Sequence, residues 1–152
     1  MQLTKFSDFA LRVLMYTHAA GDRIVTIEEI ASSYCVSRAH LMKVVNALTR
    51  EGYLKAVRGR SGGLRLGKPA EEIRLGEVVK KTEPDFALVE CFSTGNQCVI
   101  SGCCRLPRIM HEALDEFIAT LNKYTLASIA LRPQDFRPPV RPEGKVPSVV
   151  QT

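Results

Sequence analysis

The chain has 152 residues, 45% of them apolar, and a formal net charge of +5, which fits one domain with a core of its own and needs no disulfide frame. No apolar run approaches a membrane span, and Met1-Gln2-Leu3-Thr4-Lys5 lacks the basic start and apolar core of a signal peptide, so a cytoplasmic protein with no membrane partner is expected. Residues 1–68 carry eleven Lys/Arg against five Asp/Glu and residues 69–131 six against nine, the pattern of a polyanion-binding module joined to a mildly acidic one.

The first helix is expected over residues 4–20, where Phe6, Phe9, Ala10, Val13, Leu14 and Thr17 recur at helical spacing. Asp8 and Arg12 lie four apart on another face and can pair. Gly21-Asp22 ends this helix. Thr26 to Glu29 fits a capping box that opens a second helix running to about Tyr34. Cys35-Val36-Ser37 reads as a tight turn, with Cys35 expected as a small buried apolar residue. Ser37 is a good N-cap for a third helix from Arg38 to about Glu51. Leu41, Val44, Val45 and Leu48 mark its buried face. Arg38, His40, Lys43, Asn46 and Arg50 are left toward solvent.

Two helices joined by so short a turn form a helix-turn-helix, whose second helix enters the major groove. A solvated basic face would carry the same charges, but the stretch after the third helix favours nucleic acid. Tyr53 to Val57 alternates like a strand, Arg58-Gly59-Arg60-Ser61-Gly62-Gly63 is a turn, and Leu64-Arg65-Leu66 returns. A hairpin in that place is the wing of a winged helix. Its tip carries Arg58 and Arg60 among glycines that let the backbone approach a phosphate closely. The expected fold is therefore mainly α: a winged helix-turn-helix with a two-stranded wing. Its expected partner is double-stranded DNA, and no catalytic arrangement is present.

Pro69 opens a helical turn, and Leu75, Val78 and Val79 continue a short helix to about Glu83-Pro84. Four of the five cysteines then crowd into a Gly- and Ser-rich loop: Cys91, Cys98, Cys103 and Cys104. In a cytoplasmic chain such a group signals metal or redox chemistry rather than a disulfide frame. Thiolates suit zinc, copper(I) and iron–sulfur clusters. The longest helix comes next, from Arg105 to about Asn122. Leu106, Ile109, Met110, Ala113, Leu114, Phe117, Ile118 and Leu121 give it a stripe too broad for one small partner. Packing on the first helix and on the same helix of a second subunit is expected, because two-fold dimers read DNA half-sites. A short helix over Thr125 to Ala130 completes an ordered unit of residues 1–131. From Arg132, five of the eight prolines fall in the last twenty-one residues, which reads as a disordered tail, 132–152.

Several stretches together resemble the winged-helix iron–sulfur transcription regulators, and within them the nitric-oxide-sensing repressors. They are Met1-Gln2-Leu3-Thr4 with Asp8, Ser37-Arg38 with His40, and Val57-Arg58-Gly59 through Gly62-Gly63 to Gly67-Lys68-Pro69. Cys104-Arg105-Leu106 and Tyr124-Thr125-Leu126-Ala127 extend the likeness, which covers about residues 1–130. The resemblance implies a cytoplasmic, homodimeric repressor that holds a 2Fe–2S or 4Fe–4S cluster through Cys91, Cys98 and Cys104. The six residues between Cys91 and Cys98 are one or two more than the family pattern has. Cys103 is an extra thiol, and the Arg105-Leu106 that follows its neighbour assigns the role to Cys104. The resemblance further implies that Asp8, from the first helix of the other subunit, is the fourth ligand. Nitric oxide is the implied signal, acting on the link between loop and first helix.

Two rival readings stay open on residues alone. Three cysteines with Asp8 or His111 can bind zinc tetrahedrally, giving a zinc- or thiol-based redox regulator on the same fold. An iron–sulfur electron-transfer subunit is disfavoured, because the ferredoxin spacing and its closing Cys-Pro are missing and the winged helix would be unexplained.

Overall fold

The computed structural model describes residues 2–136. Its first three helices each start on a hydroxyl that accepts from a backbone N–H of the first turn. Thr4 caps α1 (Lys5–Ala19) through Ser7 N at 3.3 Å. Thr26 caps α2 (Ile27–Tyr34) through Glu29 N at 3.1 Å. Ser37 caps α3 (Arg38–Arg50) through His40 N at 3.3 Å. Each such cap stabilises a helix by about 1 kcal/mol and, more to the point, fixes where it begins.

The turn between α2 and α3 differs from the expectation in one residue. Cys35 is exposed, not buried, and adopts a left-handed backbone with φ 54°. That conformation lets Cys35 N reach Ser32 O at 3.3 Å and Val36 N reach Ala31 O at 3.0 Å, closing the C-terminus of α2. Gly or Asn usually fills such a position, so the tightness of the turn here outweighs side-chain preference.

Leu14, Ile30, Leu41 and Leu48, all buried, tie α1, α2 and α3 into one core. The wing packs beside them. Strands β1 (Leu54–Val57) and β2 (Gly63–Leu66) are antiparallel, with Leu54 opposite Leu66 and Val57 opposite Gly63. Val25 pairs with Leu64 on the far side of β2, through bonds of 2.7 and 3.0 Å. Gly63 lies so close to Val25 that any Cβ would collide with its carbonyl.

Helix α4 (Leu75–Thr82) packs on α1, and α5 (Leu106–Asn122) packs chiefly on α4. The long helix, expected to pack on the first helix, makes its main contact with α4 instead. Gly76 makes the close crossing possible: a Cβ there would strike the Asn122 side chain and lie 2.7 Å from Ile118 O. The chain after α5 locks the pair. Leu75 N donates to Tyr124 O at 3.1 Å and Leu126 N to Ile73 O at 2.8 Å.

Residues 137–152, most of the tail expected to be disordered, lie outside the described residues. Pro133–Phe136 form a turn of 3-10 helix, so order extends beyond residue 131. The Phe136 ring packs edge-on against Tyr16 and Tyr34, with centroids at 4.9 and 6.0 Å. No helix among the described residues is long and apolar enough to cross a membrane.

Candidate nucleic-acid interface and metal centre

Burial of Leu41, Val44, Val45 and Leu48 turns the opposite face of α3 outward. Arg38, His40, Lys43 and Asn46 are all exposed there. They are not equivalent. Ala39, Lys43, Asn46 and Arg50 follow the outermost line of the helix, at i, i+4, i+7 and i+11, and all four are exposed. Arg38 lies on the flank toward α2, where its guanidinium pairs with Glu28. A bond from its own backbone N–H, and then Arg38, hold the Glu28 carboxyl below the usual carboxylate range. His40 lies on the opposite flank and is drawn into the cap: its Nδ1 shares a hydrogen bond of 3.0 Å with Ser37 Oγ. Ala39 escapes a reading of polar groups because its side chain has none. Its place four residues before Lys43 is the signal that finds it, and a methyl on that line suits contact with a thymine methyl.

The wing stands on the same flank of α3 as Arg38. Asn46 and Thr49 share a groove with Ala56, Val57 and Gly62, so the hairpin rises directly beside the outward face. Arg58 and Arg60 at its tip are exposed and make no ion pair among the described residues. Gly59 between them has φ 119°, a conformation open to Gly, and Gly62 N closes the turn on Gly59 O at 3.0 Å.

The cysteine loop spans 83–105. It is built on its own hydrogen bonds rather than on regular structure. Cys91 lies in a short 3-10 turn, Glu90–Phe92, that stacks through Phe92 on His111 of α5 at 4.0 Å. Glu90 also accepts from Gln97 N at 3.1 Å, which holds the Cys91 and Cys98 segments side by side. Ser101 Oγ donates to Cys98 O at 2.7 Å, and Cys104 N donates to Ile100 O at 2.9 Å. Cys91, Cys98 and Cys104 are half-buried, whereas Cys103 is exposed with its thiol directed to Ile100 O at 3.5 Å. One loop thus carries three half-buried soft donors of the kind an iron–sulfur cluster or zinc takes. Within one chain they do not converge: among the described residues no three Cys, His, Asp or Glu side chains form a group able to hold a metal ion.

Asp8 stands apart, on α1. Its two oxygens meet Arg12 Nη2 at 2.8 Å and Arg12 Nε at 3.0 Å, and both side chains are 44% exposed. Burial pushes the Tyr34 hydroxyl up to about 12 despite the nearby Arg12 cation, and it donates to Arg12 O at 3.1 Å. The root of the loop does reach α1. Glu83 Oε1 accepts from both Thr4 N at 2.8 Å and Thr4 Oγ1 at 3.1 Å, so the root of the cysteine loop is clamped to the start of the first helix.

Comparison with known proteins agrees with this geometry. The model of the Rrf2 family, described as an iron-dependent transcriptional regulator, matches residues 3–132. The chain belongs to the Rrf2 family. Among relatives, the HTH-type transcriptional regulator NsrR of Bacillus subtilis (strain 168) is 45% identical over 137 residues, 89% of this chain and 94% of its own. NsrR of Geobacillus kaustophilus (strain HTA426) is 45% identical over 131 residues, 85% of this chain and 89% of its own. The solved structure of T. potens IscR matches with a TM-score of 0.66, covering 95% of this chain and 94% of that one. At 18% identity that likeness is one of fold. This Rrf2 member is a DNA-binding transcription regulator of the winged helix-turn-helix type, and its relatives are regulators rather than enzymes.

Proposed function

We propose that this Rrf2 regulator is a cytoplasmic homodimeric repressor whose hold on its operator is switched by nitric oxide through an iron–sulfur cluster. Cys91, Cys98 and Cys104, drawn together from one loop by the metal, would hold the cluster, with Asp8 of the partner subunit completing the set. The observation that carries the reading is the division among the five thiols. The three assigned as ligands are half-buried, while Cys35 and Cys103 are exposed. Protected, soft donors on one loop suit a cluster; an exposed thiol is open to oxidation instead. When bound, the cluster supplies an iron with one non-thiolate ligand, the position open to nitric oxide.

The residues of the chain do the rest. An exposed i,i+4 ion pair is worth only about 0.3–0.5 kcal/mol. Asp8 therefore leaves Arg12 for a metal at little cost. The Thr4–Glu83 clamp carries any movement of the loop root to the start of α1. Helix α1 packs on α3, so the spacing of the two recognition helices follows the loop. On DNA, Lys43 and Asn46 face the major groove from the outermost line of α3. Arg38 and His40 join them from its two flanks as Arg38 exchanges its exposed pair with Glu28 for DNA, and Arg58 and Arg60 reach phosphates or the minor groove.

The test is visible absorption of protein purified without oxygen, before and after nitric oxide, paired with operator titration. We expect a brown protein that binds tightly, then loses both colour and affinity. A colourless zinc protein, or equal operator affinity for both forms, would remove the proposed switch. The DNA roles separate in the same titration. Arg38→Ala should cost about 1–3 kcal/mol on the operator and narrow its lead over random DNA. Arg60→Ala should weaken both duplexes alike and flatten the salt dependence by about 0.9 per phosphate lost. Loss of operator preference in Arg60→Ala at an unchanged salt slope would make the wing a base reader.

A further inference from the structure

The cationic surface of α3 continues onto another helix. Lys5, the first residue of α1, lines a pit whose opposite rim is His40 and Lys43, with Phe6, Phe9 and Val44 as its floor. At about 120 Å³ the pit is well below the ~300 Å³ at which ordinary ligand pockets begin. What it presents outward is its rim of basic side chains. Lys5 and Lys43 are exposed, and neither makes an ion pair among the described residues.

Helix stability does not account for Lys5. A cation at the first helical position opposes the helix dipole, which favours acids there by about 0.3–1 kcal/mol. Asp8, the acid of that turn, pairs with Arg12 rather than with Lys5. The backbone that carries Lys5 is nonetheless held firmly, by the Thr4 cap and by the two bonds from Thr4 to Glu83. Position points the same way. A helix lying in the major groove has a wall of phosphates on each side, about 12 Å apart. The wing with Arg58 and Arg60 rises on one flank of α3, beside Asn46 and Thr49. Lys5 stands on the other flank, beside His40 and Lys43.

We propose that Lys5 is a DNA-backbone contact that grips a phosphate on the groove wall opposite the wing. The proposal rests on α3 as the DNA-reading helix. It gives α1 two duties within one turn, DNA at Lys5 and the cluster at Asp8.

Full-length protein purified without oxygen is titrated with an operator duplex selected from a random pool, and with random duplex, across salt concentrations. The variants are Lys5→Ala, Lys5→Arg and Lys43→Ala. Lys5→Ala should weaken both duplexes by the same factor, on the order of tenfold at 0.1 M salt. It should also flatten the slope of log affinity against log salt by about 0.9 for each copy lost, or about 2 for a dimer. Lys5→Arg should keep wild-type affinity and slope. Wild-type behaviour of Lys5→Ala alongside a weakened Lys43→Ala would overturn the proposal and leave α3 as the reader. Wild-type behaviour of both would overturn the reading of α3, and the proposal with it. A loss confined to the operator at an unchanged slope would make Lys5 a base contact and overturn the backbone role.

Discussion

Replacing Cys91, Cys98 or Cys104 with Ala is expected to leave protein purified without oxygen colourless, with iron and sulfide near zero, while Cys35→Ala and Cys103→Ala stay brown. The effect is large because thiolate–metal bonds are not graded contacts. A loop with two thiolates left has half of an ordinary ligand set, and metal binding of this kind contributes on the order of 10 kcal/mol in small sites. Cys35 lies in the turn between α2 and α3, outside the loop, and is exposed. Cys103 is adjacent to Cys104 but directs its thiol to the loop's own carbonyl at Ile100. That contact favours Cys104 over its neighbour in the proposed ligand set. Iron and sulfide assays on the five variants decide the matter. A loaded Cys104→Ala with an empty Cys103→Ala would exchange their roles, and metal retained in all five would end the cluster assignment. The DNA response should change in step. A variant without a cluster is expected to have the same operator affinity before and after nitric oxide.

Most of the fold is legible in the sequence because local chemistry and global packing agree in α1 to α3 and the wing. Thr26 and Ser37 cap where their residue types prefer to cap, and Leu41, Val44, Val45 and Leu48 bury the face that their spacing marks. Arg58 and Arg60 at a Gly-rich tip follow from alternation on either side. What escapes is set by contacts between segments far apart. Arg38 looks free in the sequence, yet Glu28, ten residues earlier, takes its guanidinium. The broad stripe of α5 has no address in the sequence. It meets α4 because Gly76 lets Asn122 and Ile118 come close. Composition reveals the cysteine loop, but not its clamp. Nothing about Thr4 or Glu83 alone indicates that they bond across 79 positions. Phe136 sits in a Pro-rich stretch whose composition argues against order, and the Tyr16–Tyr34 pair overrides it.

Ile109→Glu is expected to turn the proposed dimer into a monomer at micromolar concentration without unfolding it. Helix α5 buries only part of its stripe inside its own chain. Ile118 is buried, and Met110, Leu114, Phe117 and Leu121 are half-buried, whereas Leu106, Ile109 and Ala113 are exposed. Those last three fall at i, i+3 and i+7, a single line along one side of the helix. Ile109 is 59% exposed and Leu106 47%, and the loop adds Val99 at 97% and Ile100 at 53%. Four of the six large exposed apolar side chains among the described residues thus fall within residues 99–109. So dense a patch suits the proposed contact with a second subunit, and its place beside the cysteines suits the proposed delivery of Asp8 by that subunit. Burying an Ile side chain contributes about 1.5–3 kcal/mol, and a two-fold interface counts it twice. Losing both copies raises the dimer dissociation constant by roughly two to four powers of ten, at about 1.4 kcal/mol for each. A carboxylate in the same place adds its desolvation cost. Because Ile109 lies outside the core of its own chain, the thermal transition of the monomer should persist. Ile109→Leu conserves volume and apolarity and should remain a dimer. Sedimentation of the three proteins at several concentrations is the measurement. A dimer as tight in Ile109→Glu as in the wild type would place the interface elsewhere. A monomer should in turn bind a two-half-site operator no better than two separate half-sites, because the two recognition helices are then no longer held at a fixed spacing.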